Sequence, residues 1–159
     1  MKKWDFLKLL KKEGRLKFVE PSEEIKQSYL QKSLSYMDSA KLLFKNRKLE
    51  EAISMIYYSM YYSLLALLFK VGIKSENHTA SILLLKELFN LNNTKILNAK
   101  KERIDKQYYI NFEIAENDVK NLIQNAEEFN AMIFDYLEKL TMEEINEIRS
   151  KLKKLLKKH

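Results

Sequence analysis

The sequence contains no cysteine, only two glycines and only one proline in its 159 residues. Without thiols it can form neither disulfides nor thiolate metal sites, and we expect a reducing cytoplasm as its location. The scarcity of glycine and proline, beside 46% hydrophobic residues, leaves little material for turns and strands. We therefore predict an all-α protein.

The N-terminal segment also lacks the features of a signal peptide. Its apolar residues are interrupted by Asp5 and Lys8, and no small-residue cleavage site follows them. No run of 18 uncharged apolar residues is present, so we expect no membrane-spanning segment. The length suits one domain, and residues 1–159 are predicted to form it.

The net charge of +7 is concentrated at the two ends of the chain. Residues 1–20 carry seven Lys or Arg against three acids, and residues 141–159 carry six against three, while the middle is balanced. This excess indicates either a footprint for nucleic acid or an acidic partner, or a lysine-rich solvated surface of the kind found in heat-adapted proteins.

Helical periodicity predicts an up-and-down bundle of four to five core helices within residues 22–140. Basic helices are predicted at both termini, in residues 1–20 and 141–159. Core helices are expected at about 22–46, 49–70 and 113–140, with shorter helices between the last two. Ser22 is a predicted N-cap, Gly72 a predicted stop, and Thr141 with Glu144 a predicted capping box.

The stretch IYYSMYY places four tyrosines in the helix predicted over 49–70. On a helical wheel they fall within an arc of about 140°, opposite a strip of small residues. The small strip permits another helix to approach closely, either within the bundle or across a dimer interface. Buried tyrosine hydroxyls need partners, so the rings either fill core volume or, for one or two of them, stack on a nucleotide or nucleic acid.

Three stretches, in this order, resemble the HEPN domain family, particularly its archaeal stand-alone members. They are AISMIYYSMYYSLLALLFKVGIK, KSENHTASILLLKEL and ERIDKQYY, and the following EIAENDVKNLIQNAEEFNAMIFDYL is similar to the family's closing helix. The resemblance covers about residues 22–140. It implies a helical bundle, commonly dimeric, that is associated with nucleotide or RNA chemistry. Many members pair with a minimal nucleotidyltransferase in a toxin–antitoxin-like system.

Other members of the family are metal-independent endoribonucleases with an Arg followed four to six residues later by a His. Here Ile104 follows Arg103 where a polar residue is usual, and Tyr108 and Tyr109 stand where the histidine would fall. Tyrosine, with a reference pKa of about 10, is a poor general acid–base near neutrality. Binding without catalysis is therefore favoured, and a nuclease would have to use Arg103 with Tyr108 or Tyr109, or with His78, in place of the missing histidine.

Arg103 and His78 also have chemistry of their own. A guanidinium suits phosphate and stacks on rings, so Arg103 with one of the following tyrosines can hold a phosphate and a base. The alternative is a solvated helix in which Arg103 pairs with an acid on the next helix. His78, beside the potential cap Asn77, either ties its loop down or contacts a ligand at a helix N-terminus, where anions bind readily.

The sequence therefore predicts a cytoplasmic, homodimeric, HEPN-like module that binds a nucleotide or RNA. No metal or cofactor is expected, because neither clustered metal ligands nor a glycine-rich phosphate loop is present. A minimal nucleotidyltransferase is the predicted protein partner. A metal-independent endoribonuclease and a non-catalytic protein-interaction scaffold are the alternatives. The candidate binding residues are Tyr57, Tyr58, Tyr61, Tyr62, His78, Arg103, Asp105, Gln107, Tyr108 and Tyr109.

Overall fold

The computed structural model describes residues 1–108 and 114–158, with the side chains of 107, 108 and 158 left out of the description. Within these residues the chain forms seven helices and two short strands, which confirms the predicted all-α bundle. The elements are α1 (Lys3–Lys12), β1 (Leu16–Phe18), α2 (Glu23–Lys45), α3 (Leu49–Lys70), β2 (Ile73–Ser75), α4 (His78–Phe89), α5 (Thr94–Tyr108), α6 (Glu116–Lys139) and α7 (Met142–Lys158).

Helix α3 lies at the centre of the bundle because its sequence is apolar almost all round. Thirteen of its 22 residues are buried, and α2, α5 and α6 all pack against it. Among the described residues it is the one helix long and apolar enough to cross a membrane, yet 72% of that apolar window is buried inside the protein. Such burial is typical of the core helix of a bundle.

The strip of small residues on α3 is occupied within the bundle, by α2 and α6. The Ser59 hydroxyl donates to the Ser33 carbonyl at 2.7 Å, and the Ser33 hydroxyl donates to the Ser59 carbonyl at 2.7 Å. From α6, the Asn130 amide donates to Ser59 Oγ at 3.0 Å and accepts from Ser63 Oγ at 2.8 Å. These buried polar groups satisfy one another, so the three helices meet in one register.

A two-stranded antiparallel sheet, which was not predicted, connects the N-terminal segment to the chain leaving α3. Gly72 turns this chain with a φ of 75°. Arg149 of α7 reaches the turn and donates to the carbonyls of Val19, Val71 and Gly72 at 3.0, 3.0 and 2.8 Å. The predicted stop of α3 is therefore also the point at which α7 is attached.

The two basic terminal helices cover the core with their apolar faces. α1 buries Leu7 and Leu10, and α7 buries one stripe of side chains, Ile145, Ile148, Leu152 and Leu156. Most of their lysines are exposed. The positive charge of the chain ends therefore lies on the solvated faces of packed helices.

Side chains cap the helices at the predicted positions. Ser22 Oγ accepts from the Ile25 amide at 3.1 Å, and Thr141 Oγ1 accepts from the Glu144 amide at 3.2 Å. The Thr141 hydroxyl also donates to the Glu144 carboxylate at 3.0 Å. The last contact differs from a capping box, in which the acid would accept from the cap residue's own amide.

Candidate functional site

Three helices bring cationic and aromatic side chains together in one partly buried cluster. Helix α3 passes beneath it, α4 begins at it, and α5 crosses it. We call the cluster the cationic–aromatic site and define it by Tyr57, Tyr58, Tyr61, His78, Lys100 and Arg103.

The four tyrosines of α3 separate onto two sides of the helix, since neighbouring positions lie about 100° apart. Tyr57 and Tyr61 are 0% and 5% exposed and contact α4. Tyr58 and Tyr62 are half-buried and contact the tyrosines of α2. The first pair fills core volume, whereas the second pair keeps part of each ring at the surface.

The buried tyrosine hydroxyls find their partners on α4. Tyr57 Oη lies 2.8 Å from His78 Nδ1, and Tyr61 Oη lies 3.1 Å from Ser81 Oγ. Burial raises the pKa of both tyrosines above the ordinary value of 10. Both hydroxyls are therefore protonated at neutral pH and can serve as hydrogen-bond donors.

His78 is the first residue of α4, whose N-terminus is capped by Asn77 accepting from the Ala80 amide at 2.9 Å. Its ring stacks on Tyr61 with centroids 3.9 Å apart and planes 12° apart. Burial, and then the charges of Lys100 and Arg103, lower the pKa of His78 below 6.5. The imidazole is therefore neutral at neutral pH, and its orientation is fixed by the stacking and by Tyr57.

Arg103 projects from α5 onto the tyrosines of α3. Its guanidinium carbon lies 5.1 Å from the Tyr57 ring centroid and 5.5 Å from that of Tyr58, within the range of cation–π interactions. The side chain is half-buried. Contact with two rings holds the guanidinium in one orientation. A guanidinium held in this way is suited to recognise a planar or anionic ligand.

Lys100 lies three residues before Arg103 and adds a second cation. Its ammonium donates to Thr79 Oγ1 at 2.8 Å, and no carboxylate in the described part of the chain pairs with it. Burial, followed by the charge of Arg103, lowers the pKa of Lys100. Two neighbouring cations beside the N-terminus of α4 form a positive site that suits a phosphate.

Lys100 and Thr79 were not predicted as site residues. Residues three apart on a helix share a face, so Lys100 was recognisable from its spacing to Arg103. Thr79 directly follows His78 in the sequence. Its hydroxyl positions the Lys100 ammonium, a long-range contact that no local pattern indicates.

The other predicted candidates lie away from these contacts or outside the described residues. Asp105 is two residues past Arg103, about 200° around the helix, and Tyr62 faces α2. The side chains of Gln107 and Tyr108, and all of Tyr109, lie outside the described residues. In the part of the chain that is described, no three His, Cys, Asp or Glu residues are grouped so as to hold a metal ion.

Comparison with known proteins gives two similarities. The family model of the HEPN domain matches residues 27–139. A UPF0332 protein of Thermotoga maritima is 31% identical over 130 residues, which cover 74% of this chain and 92% of that protein. The matched residues include all the side chains of the cationic–aromatic site.

Proposed function

The chain belongs to the HEPN domain family, and we propose that it binds a nucleotide or RNA by its phosphate at the cationic–aromatic site. Membership of the family makes it a nucleotide- or RNA-related module. The proposal rests on one observation: Lys100 and Arg103 come together at the start of α4, and Arg103 lies against the rings of Tyr57 and Tyr58.

Each side chain of the site has a defined part in such binding. The Arg103 fork donates to the phosphate, and the Lys100 ammonium adds charge. When Tyr57 donates to His78 Nδ1, the other ring nitrogen carries a proton and donates to the ligand as well. Tyr58, half-buried next to Arg103, offers part of its ring to a base.

Binding of labelled single-stranded RNA by the purified protein in EDTA tests this proposal. Arg103→Ala is expected to weaken retention by roughly tenfold or more, because a charge-assisted contact contributes about 1.5–3 kcal/mol. Lys101→Ala is the matched control, because Lys101 is an exposed neighbour on the same helix. RNA affinity that is equally unchanged in both variants would contradict the proposal.

A metal-independent endoribonuclease is the second candidate, and the position of His78 favours it. The motif histidine after Arg103 is missing, but His78 comes from another helix to the same cluster, and its lowered pKa keeps the imidazole neutral. With its proton on Nδ1, toward Tyr57, the imidazole can accept the proton of a ribose 2′-hydroxyl at its other nitrogen as the 2′-oxygen attacks the phosphorus. The bond from phosphorus to the 5′-oxygen then breaks, that oxygen takes a proton from water, and Arg103 stabilises the phosphate throughout. RNA cleavage in EDTA that is lost in His78→Gln and Arg103→Ala would favour this function over binding alone.

We also propose that the protein is a cytoplasmic homodimer that works with a minimal nucleotidyltransferase in a toxin–antitoxin-like system. The family resemblance supports these finer assignments. Gel filtration with light scattering tests both assignments. This protein alone should have the mass of a dimer, and a mixture with a purified minimal nucleotidyltransferase should give the larger mass of a complex. A protein-interaction scaffold that uses its basic ends would lose its partner when exposed lysines of α7, such as Lys151 and Lys154, are replaced by glutamine. It would be indifferent to Arg103→Ala.

A further inference from the structure

The surface where α2 packs against α3 carries a row of rings that continues from the cationic–aromatic site. We propose that this row is a track for single-stranded RNA. The inference rests on the proposed function and specifies its substrate class, a strand of several nucleotides rather than a free nucleotide. We define the tyrosine track by Tyr29, Lys32, Tyr36, Tyr58, Tyr62 and Phe69.

The track and the site are continuous because they share Tyr58. Its ring centroid lies 5.5 Å from the Arg103 guanidinium carbon. Its centroid lies 6.2 Å from that of Tyr36 and 6.3 Å from that of Tyr62. A strand whose phosphate is held by Arg103 therefore meets further aromatic rings without a gap.

The row extends along α2 to the end of α3. Tyr36 and Tyr62 meet edge to face at 5.0 Å, and Tyr62 and Tyr29 stack at 5.8 Å with planes 18° apart. Tyr29 then stacks on Phe69 at 5.4 Å. The ring centroids follow one another at 5.0–6.3 Å, so the rings form an unbroken row along the two helices.

A positive charge accompanies the rings. The Lys32 ammonium lies 4.9 Å from the Tyr62 ring centroid, and Lys32 is exposed. Lys32 at the middle of the track and Arg103 at its end give two separated contacts for phosphates. Aromatic rings combined with cations along a groove are the usual means by which proteins bind single strands independently of sequence.

The exposure of the rings distinguishes the track from the core. Tyr57 and Tyr61 are buried with partners on α4, whereas the four tyrosines of the track are half-buried. Burial and the neighbouring Tyr36 raise the pKa of Tyr62 to about 12, so its hydroxyl is uncharged and does not repel phosphates. Hydroxyl-bearing rings with an exposed lysine favour a strand of bases and phosphates over an apolar helix of another protein.

Binding of uridine monophosphate and of oligouridines up to about eight nucleotides, a length within the range bound by one single-strand module, tests the inference. We expect affinity to rise with length in the wild-type protein. Lys32→Gln and Tyr36→Leu should lower octamer affinity by about fivefold or more while leaving binding of the monophosphate unchanged. Lys154→Gln, a change at an exposed lysine of α7, is the matched control. Thermal unfolding of each variant checks that the bundle is intact.

The outcomes separate this inference from the proposed function. Length-independent affinity that is lost only in Arg103→Ala would overturn the track and leave the phosphate site standing. If the wild-type protein binds neither the monophosphate nor the octamer, both the track and the phosphate site are overturned. A change from dimer to monomer in Tyr36→Leu, with octamer affinity preserved, would identify this row of rings as an interface between two copies of the chain and overturn the track.

Discussion

Substitution of Gly72 by alanine should be far more destabilising than the same substitution at Gly14. Both glycines have a positive φ, 75° at Gly72 and 73° at Gly14. A Cβ at Gly14 would meet nothing within 4 Å, so only the backbone strain of about 1 kcal/mol is expected there. A Cβ at Gly72 would lie 2.1 Å from an Arg149 nitrogen and 2.4 Å from the Val19 carbonyl oxygen.

The additional cost at Gly72 has two sources, the contacts that Arg149 must give up and the shift of the Val19 backbone carbonyl. One guanidinium nitrogen donates to three carbonyls at 2.8–3.0 Å, and it has two hydrogens to share among them. Hydrogen bonds to a charged group contribute about 1.5–3 kcal/mol each. Because Arg149 is only half-buried, hydrogen bonds to water replace part of this energy when the guanidinium is displaced. We expect about 2–3 kcal/mol for the displacement of Arg149. With the backbone strain, and before any cost of shifting the Val19 carbonyl, Gly72→Ala should cost at least about 3–4 kcal/mol.

Urea denaturation measures these free energies of destabilisation. The variants are Gly14→Ala, Gly72→Ala, Arg149→Met and the double variant Gly72→Ala/Arg149→Met. The double variant should be less destabilised than the sum of the singles by about 2 kcal/mol, because Gly72→Ala alone already displaces the guanidinium. Equal destabilisation by the two glycine substitutions, or strict additivity with Arg149→Met, would refute the reasoning.

Three further predictions concern the bundle and the site. Asn130→Ala should destabilise the protein by about 2–4 kcal/mol, because it leaves the buried hydroxyls of Ser59 and Ser63 with fewer partners; denaturation of the exposed-site variant Asn121→Ala is the control. RNA affinity should rise as the pH falls below 6.5, since His78 is neutral above its lowered pKa and its protonation adds a positive charge beside Lys100 and Arg103; binding titrations with His78→Gln should show a flatter profile. Without ligand, the same lowered pKa removes stability as the pH falls through it, because the unfolded state binds the proton more readily. Arg103→Gln should make the dependence of log affinity on log salt shallower by about 0.7 for single-stranded RNA, whereas Lys101→Gln should leave the slope unchanged.

The long helices were predictable because their signals are local. The sequence of α3, which is uncharged between Glu51 and Lys70 and is followed by Gly72, predicts 49–70, and the structure places the helix at Leu49–Lys70. The predicted start of α6 near residue 113 precedes its observed start at Glu116, within the usual imprecision of helix ends. The division of the chain into a core at 22–140 and two terminal helices stays a prediction, as do the roles of the predicted site residues.

The small sheet was missed because nothing local specifies it. Strands of three residues are too short to show an alternating pattern. Their ends are held by contacts between segments distant in the sequence, from the Glu76 amide to the Arg15 carbonyl at 2.9 Å and from the Val19 amide to the Gly72 carbonyl at 2.9 Å. Pairing of this kind depends on α1 packing against α7 and on Arg149 of α7 contacting the turn after α3.

The sequence by itself determined the helical class, the central place of α3 and the kinds of side chain available for binding, because these depend on composition and on a period of 3.6 residues. Only the tertiary structure decided which of them meet. Tyr57 and His78 are 21 positions apart, and Lys100 is 21 positions from Thr79, yet each pair is joined at 2.8 Å. Such contacts depend on how α3, α4 and α5 cross, and crossing geometry is set by the packing of many side chains at once rather than by any short stretch of sequence.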